Sequence, residues 1–384
     1  MILPLWEEIG TMKTYAIVSY NMYCNFTNYG SALQTYALHR TLNELAPDKI
    51  QSIVLDYCPD ILKDKDVLNP IKCMWDSDDE SKRMVEMSMP AIRVNNEKFN
   101  AFYNQNYHIS SRRYTSENFK DSYQNEELDG YVCGSDTIWC ILEFKGFDDG
   151  YFANYPVMRD SHTISYAASF GDAVFEDQDF EILKERLKNY KAIGVRESTY
   201  LDFIHRNTGV LSQRVLDPTF LLTGKEYEKI TAEMQINEPY ILLYARRYNK
   251  AMEGYTERLA EKLGCRIVEI SLRATNAKNH IMRYDAGVEE FLSLVKHAEF
   301  VVTNSFHGAI FSIQMHTQYR IFSREQADTK IDELLEWLNL EKTKLITGLE
   351  TDDYRIDFET VEKRLERLRK DSKDYLRKAL DAYE

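Results

Sequence analysis

Near residue 300 an apolar run, Val301-Val302-Thr303, opens into the polar turn Asn304-Ser305-Phe306-His307-Gly308 and resumes as Ala309-Ile310. That order reads as a strand, a turn and the start of a helix. In an open α/β sheet, ligands bind outside the carboxyl ends of the strands, where the free N–H groups of the next helix can hold an anion. His307 would stand at such an opening, able to pass a proton or to pair with an anion, with Asn304, Ser305 and Gly308 around it. The plainer reading of the same residues is a helix cap at Asn304 or Ser305 and a histidine satisfied inside the fold.

Four further strands, at residues 130–133, 163–167, 192–195 and 214–216, each end in a polar group. These are Gly134-Ser135-Asp136, Ala168-Ser169-Phe170-Gly171, Arg196-Glu197-Ser198 and Asp217-Pro218-Thr219. Parallel strands gather such ends along one edge of a sheet, so five of them suggest a site. Polar turn residues are ordinary in any loop, which is the competing explanation. Asp136 and Glu197 are candidate bases, and Ser135 a candidate ligand. The alternative for either carboxylate, and the preferred reading for Glu197, is a helix cap or a partner that orients an arginine. Arg196 is a permanently charged candidate for an anion, joined by Arg246 or Arg247 beyond the strand at 240–244; for each, a surface salt bridge is the alternative. Asn28 and Gly30 suit a loop whose backbone approaches a ligand, or a simple helix cap. Asp217-Pro218 fits a structural turn.

The elements that carry these residues alternate in type. A strand at 15–20, a turn at 25–30, a helix at 31–42 and a strand at 52–57 complete one βαβ unit, and the fold class is α/β. Residues 60–125 form an excursion with a polar run at 76–82 and a helix at 87–103. A second series begins near Pro239: a strand at 240–244, a helix at 252–263, a strand at 266–270, the strand at Val301, a strand at 319–322 and a helix at 330–338. A long charged helix at 358–380 carries Val361, Leu365, Leu368 and Leu376 on one stripe. The pattern predicts two Rossmann-like domains facing a cleft, over 12–235 and 236–350, with 351–384 as a closing C-terminal helix packed across them. Residues 1–11 read as an upstream extension.

The chain has 384 residues, 44% of them hydrophobic, enough for more than one core. A formal net charge of −14 speaks against nucleic-acid partners, which are held by clustered Lys and Arg. The six cysteines lack the close spacing of a zinc site or a disulfide framework, and the eight histidines are dispersed, so metal-independent chemistry without a cofactor is expected. Cys24 and Cys133 lie near the motifs but would need a lowered pKa to act as nucleophiles. No stretch approaches the roughly 20 apolar residues of a membrane span, and the start lacks the regions of a secretion signal; the cytoplasm is the default.

In order along the chain, Asn28-Tyr29-Gly30, Gly134-Ser135-Asp136-Thr137-Ile138-Trp139, Ser165-Tyr166-Ala167-Ala168-Ser169-Phe170-Gly171, Val195-Arg196-Glu197-Ser198, Leu216-Asp217-Pro218 and Asn304-Ser305-Phe306-His307-Gly308 form a set. Over roughly residues 14–345 this set resembles the polysaccharide pyruvyl transferase family. The resemblance implies a glycosyltransferase-B-like fold, with 12–235 on the acceptor side and 236–350 on the donor side. It implies transfer of pyruvate from phosphoenolpyruvate onto two hydroxyls of a sugar, giving a cyclic ketal and phosphate, for bacterial surface polysaccharides. The acceptor would be a sugar or a lipid-linked oligosaccharide, which leaves peripheral contact with the inner membrane open. Its functional residues carry over to His307 and, after it, to Arg196 and Asp136. Phe306 stands where many members have Arg, His316-Thr317-Gln318-Tyr319-Arg320 where a Gly-Pro turn is usual, and Cys140 where the Gly-Ser-Asp motif often ends in Asn. Two other readings stay open: a nucleotide-sugar glycosyltransferase, against which residues 309–315 offer no Asp or Glu for a ribose, and a noncatalytic sugar-binding subunit.

Overall fold

The computed structural model describes residues 12–381 apart from 21, 75–77, 235, 324–327 and 351–352. The extension expected at 1–11 lies outside the described residues, as do the first two residues of the polar run at 76–82. Two all-parallel sheets of six strands carry the chain. The first holds β1 (Lys13–Val18), β2 (Ile50–Val54), β3 (Gly130–Cys133), β4 (His162–Ala168), β5 (Ala192–Val195) and β6 (Leu211–Arg214), in the order β2-β1-β3-β4-β5-β6. The second holds β7 (Tyr240–Tyr244), β8 (Arg266–Ile270), β9 (Ile281–Met282), β10 (Phe300–Thr303), β11 (Tyr319–Phe322) and β12 (Lys344–Leu345), in the order β12-β11-β10-β7-β8-β9. The central strands β1, β3, β7 and β10 are apolar on both faces because helices cover both. This is the expected α/β architecture of two Rossmann-like sheets, arranged as in a glycosyltransferase-B fold.

The strand orders determine where a ligand can enter. In each sheet the chain first builds to one side of its opening strand and then returns to the other. The reversal falls between β1 and β3 in the first sheet and between β7 and β10 in the second. Loops diverge at such points and leave a crevice beyond the carboxyl ends.

Helix α1 (Tyr29–Leu45) follows β1 and is capped by Asn28, whose side chain accepts from Gly30 N at 3.0 Å. Helix α2 (Asp79–Asn106) is longer than the expected 87–103. Asp78 caps it by accepting from Ser81 N at 2.9 Å, and Asp79 and Glu80 sit in its first turn, where the helix dipole favours acids. The polar run thus starts a helix. Short turns α3 (Ser122–Asn125), α4 (Ile141–Phe144) and α5 (Pro156–Arg159) lead to α6 (Asp177–Leu187), α7 (Leu201–Thr208) and α8 (Gly224–Glu228). The second sheet is dressed by α9 (Lys250–Leu263), α10 (Val288–Lys296), α11 (Phe306–Gln314) and α12 (Thr329–Leu338). Finally α13 (Phe358–Ala379) begins beside His316, whose ring stacks on Phe358, and then lies on the first sheet. There Tyr375 Oη donates to Ser165 O at 2.8 Å and Arg369 Nε to Phe220 O at 2.7 Å.

One strand is displaced from its expected place. The pairing with β5 runs over Leu211–Arg214, whereas the sequence suggests 214–216. As a partly exposed edge strand, Leu-Ser-Gln-Arg offers no apolar signal, and the apolar Val215-Leu216 belongs to the buried segment that carries the chain out of the sheet. Among the described residues no helix is long and apolar enough to cross a membrane.

The two sheets are joined by more than the covalent chain. Tyr29 stacks on Phe291 with ring centroids 4.4 Å apart, and its hydroxyl donates to Ala286 O at 2.8 Å. Asn95 of α2 donates to the same carbonyl at 2.5 Å and accepts from Thr27, and Lys98 pairs with Glu290 at 2.6 Å. The excursion is therefore a strut across the seam. Asn95→Ala leaves buried partners unpaired and should destabilise the protein by about 1–3 kcal/mol, which chemical denaturation would measure; a change within error would show that α2 does not hold the halves together.

Candidate active site

The two reversal points face one cavity of about 1000 Å³. From the first half, Asn28, Tyr29, Asp136 and Thr137 line it; from the second, Tyr244, Arg246, Arg247 and Tyr284, with Lys330 from α12. The excursion adds Asp78, Glu80, Ser81 and Met84. The cavity wall is thus drawn from both halves and from α2.

Asp136 follows β3 in the left-handed region, φ 74°, a conformation that Asp tolerates better than most residues. Its carboxylate accepts from Ser31 Oγ at 2.6 Å and from Thr137 N at 2.9 Å. Burial works to push this carboxyl up; Arg196, then His307 and Lys330, outweigh it and hold it below the usual range. Asp136 is a fixed anion in the cavity wall.

Directly behind it lies Arg196, at the end of β5 and only 4% exposed. Its Nη2 donates to Ser135 Oγ at 2.7 Å and sits 3.1 Å from Asp217 Oδ2, while Nη1 is 4.0 Å from Asp136 Oδ1. Nε and Nη1 make no hydrogen bond. Ser135 is fully committed: its hydroxyl donates to Ala167 O at 2.6 Å and its N–H to Gln34 Oε1 at 3.0 Å. Ser135 positions Arg196 and does not line the cavity.

Asp217, read from sequence as a structural turn, proves to be central. Oδ1 accepts from Thr219 N at 3.0 Å and Thr219 Oγ1 at 2.6 Å, which is the expected turn. Oδ2 faces Arg196 and stands 3.5 Å from His307 Nε2. Burial opposes the charge here too, and Arg196 followed by His307 overcomes it, leaving the carboxyl well below its ordinary range. The signal in the sequence was its place at a strand end beside the equivalent Asp136; the Asp-Pro pair hid it.

His307 is brought to this cluster by α11 of the second half. It is 6% exposed, so it sits one layer behind the cavity wall rather than at the opening the sequence suggests. Gly30 makes room for it: a Cβ at Gly30 would fall 1.9 Å from His307 Nδ1. The ring is thereby enclosed between α1 and Asp217.

The remaining candidates have local partners. Ser305 caps α11, accepting from Gly308 N at 3.2 Å. A Cβ at Gly308 would meet Thr303 Oγ1 at 2.4 Å, so glycine lets the helix press on β10. Asn304 accepts from Arg246 N at 2.9 Å and donates to Arg247 O at 2.7 Å, clamping the ends of β7 and β10 together. Arg246 reaches across the seam, where Nη1 donates to Thr27 O at 3.0 Å. Glu197 does not line the cavity. Its Oε1 accepts from Ser169 Oγ at 2.7 Å and from Phe170 N at 2.6 Å, so it orders the loop after β4, and burial pushes its carboxyl up. This differs from both alternatives read from sequence, a helix cap or a partner that orients an arginine. Lys330 has no sequence signal; only the placement of α12 brings it near Asp136 and 5.7 Å from the Phe306 ring.

All six cysteines are free thiols. Burial pushes Cys24 up to about 11 and Cys133 up to about 12, the wrong direction for a thiolate nucleophile. Among the described residues no group of three or more His, Cys, Asp or Glu is placed to hold a metal ion.

The sequence model of the family described as polysaccharide pyruvyl transferase matches residues 28–325. No curated protein matches the chain. Solved structures similar to it include the UDP-GlcNAc 2-epimerase of Methanocaldococcus jannaschii, at 13% identity and TM-score 0.46 over 92% of each chain. The UDP-GlcNAc 2-epimerase of Neisseria meningitidis follows at 9% identity and 0.44, over 96% of this chain and 94% of that one. Heptosyltransferase II of E. coli is 11% identical with TM-score 0.41, over 94% and 99%.

The contact between Gly30 and His307 is directly testable. Alanine is the better helix former by up to about 1 kcal/mol, so Gly30→Ala would be neutral or favourable on helix grounds alone. The expected outcome is a folded protein in which His307, mapped by mass spectrometry after diethylpyrocarbonate treatment, is modified faster than in the wild type. Unchanged protection would mean that the ring does not rest on α1.

Proposed function

Because the chain belongs to the polysaccharide pyruvyl transferase family, we propose that it moves pyruvate from phosphoenolpyruvate onto two hydroxyls of a sugar, forming a cyclic ketal and releasing phosphate. The observation that carries this reading is the cluster of Asp136, Arg196, Asp217 and His307 beneath a cavity that also presents Arg246, Arg247 and Lys330.

The donor carries a carboxylate and a phosphate. Arginine matches such groups with paired donors and lysine as a point charge. Arg246, Arg247 and Lys330 are the cations that meet it in the cavity, close to the first turn of α1, whose N-terminus favours an anion. Arg196, whose Nε and Nη1 make no hydrogen bond, is the deeper contact.

Chemistry begins with a proton added to the methylene carbon of the enol, which leaves an oxocarbenium-like carbon. One sugar hydroxyl bonds to that carbon, the C–O bond to phosphate breaks, and the second hydroxyl closes the ring. Two hydroxyl protons are lost; one balances the proton gained by carbon and the other leaves with phosphate or solvent. His307 is the proton donor in this reading, or the partner of the departing phosphate. Asp136, ionised and in the wall, receives a hydroxyl hydrogen bond. Since Asp136, Arg196 and Asp217 belong to the first half and His307 to the second, the donor reaches His307 when the halves part, and closing assembles the site.

The rest of the cavity, walled by Asp78, Glu80, Ser81 and Met84 of the excursion and by Tyr248, Glu253 and Arg273 opposite, receives the sugar or lipid-linked oligosaccharide. We place the reaction in the cytoplasm, where the donor is made, and without metal or cofactor, because fixed Arg and Lys supply the charge that a divalent ion would otherwise bring.

Purified protein and a His307→Ala variant, each with phosphoenolpyruvate and a panel of galactose-, mannose- and N-acetylhexosamine-containing acceptors, should differ about 100-fold or more in phosphate release. A mass gain corresponding to a pyruvyl ketal should accompany release in the wild type. Binding of nucleotide sugars with no turnover of phosphoenolpyruvate on any acceptor would turn the reading toward a glycosyltransferase. Chelator should leave the wild-type rate unchanged, and a magnesium-dependent rate would overturn the metal-free part of the proposal. Lys330→Met should raise the donor KM about tenfold with a smaller change in kcat, the pattern of lost ground-state binding.

A further inference from the structure

We propose that Asp217 is the positioning residue of His307, a carboxylate from one half of the molecule that orients the imidazole delivered by the other. Three observations point to it. Asp217 is itself rigidly placed, with Oδ1 held by Thr219 N at 3.0 Å and by Thr219 Oγ1 at 2.6 Å, which directs Oδ2 away from that turn. Oδ2 lies 3.5 Å from His307 Nε2 and has no hydrogen bond of its own, and His307 Nε2 likewise has none. Oδ2 also pairs with Arg196 Nη2 at 3.1 Å, whereas His307 Nε2 is buried with no hydrogen bond, and a buried polar atom left so is costly. The separation is an ion-pair distance, and a small approach of α11 makes it a hydrogen bond; contacts of this kind tighten when substrate binds. On the other side of the ring, Gly30 leaves no room for a turn of the imidazole toward α1.

The charged groups around His307 agree with this assignment. Arg196 from the end of β5, Asp136 from the loop after β3 and Asp217 from the segment after β6 all face the same pocket, with Lys330 of α12 beyond Asp136. Two carboxylates stand against one buried guanidinium. A proton on Nε2 directed at Asp217 supplies the missing positive end and leaves Nδ1 beside α1. A histidine held this way by a carboxylate has its tautomer and ring orientation fixed, which is what a proton-transferring imidazole requires.

The kinetic arm of the test rests on the transfer reaction proposed above; the spectroscopic arm does not. Asp217→Asn keeps the shape and removes the charge. With phosphoenolpyruvate as donor, its kcat should fall about 100-fold while the donor KM stays within about threefold, since orientation of a proton donor acts in the transition state. In the double variant with His307→Ala, the loss should be no greater than for His307→Ala alone, because two residues acting as a unit are not additive. Losses that multiply would mean that Asp217 acts on the fold rather than through His307, and would overturn the proposal. Independently, in protein labelled with ¹⁵N at histidine, the His307 ring signals, identified by their absence in His307→Ala, should move in Asp217→Asn. Unmoved signals would also overturn it, whether or not any acceptor is turned over. If Asp217→Asn does not fold, Thr219→Val loosens Oδ1 alone. It should move the same His307 signals in a folded protein, and unmoved signals there would count against the assignment equally.

Discussion

One buried guanidinium constrains the whole site. Arg196 is nearly out of water, and an arginine placed there costs several kcal/mol unless charge and hydrogen bonds replace the lost hydration. The replacement is collected from four places: the Ser135 hydroxyl after β3, Asp136 beside it, Asp217 after β6 and the ring of Phe306, 5.3 Å from the guanidinium carbon. Each of these needs further support. Gln34 of α1 holds Ser135, Ser31 of α1 holds Asp136, and Thr219 holds Asp217. Phe306 comes from the second half, so satisfying one arginine of the first sheet fixes where the second sheet must dock. The neighbouring His307 is positioned by the same docking.

This dependence explains what could be read along the chain and what could not. Strand-turn-helix units with apolar strands announce themselves locally, which is why the alternation of elements, the polar strand ends and His307 itself were legible. Asp136 and Arg196 were legible for the same reason, as charged residues at the ends of buried strands. Asp217 is of the same kind, but Asp-Pro is also good turn chemistry, and one of its oxygens does make the turn; a single sequence cannot show that the other oxygen faces an arginine. Glu197 follows Arg196 directly and reads as its equal, yet adjacent residues at a strand end point in opposite directions, and Glu197 turns to the loop after β4. Lys330 and the strut α2 depend on tertiary placement alone. The edge strand β6 was misplaced because an edge does not need an apolar run.

Phe306 shows how a departure from a resemblance can be absorbed. The resemblance leads one to expect arginine at 306; this chain places an aromatic ring there, with the Arg196 guanidinium carbon 5.3 Å and the Lys330 ammonium 5.7 Å from its centroid. Positive charge therefore reaches the region from neighbours rather than from position 306. A guanidinium at 306 would have to sit against Arg196, already buried and short of partners, whereas a ring stabilises both cations through its face. The substitution and the position of Lys330 form one arrangement.

The burial of His307 at the seam also suits the reaction proposed for it. An oxocarbenium-like carbon is captured by whatever nucleophile is nearest, and water would convert it to free pyruvate. Two hydroxyls must add in succession at that carbon, so water must be kept away until the ring has closed. A proton donor exposed on an open cavity wall would act on donor molecules whether or not an acceptor was present. Placed between the halves, where Gly30, Asp217 and Phe306 surround it, the imidazole is in working position only when the second half is docked on the first. In the reaction proposed here, the closure that excludes water would be the same step that assembles Asp217 with His307, which would couple the first proton transfer to closure of the site over both substrates.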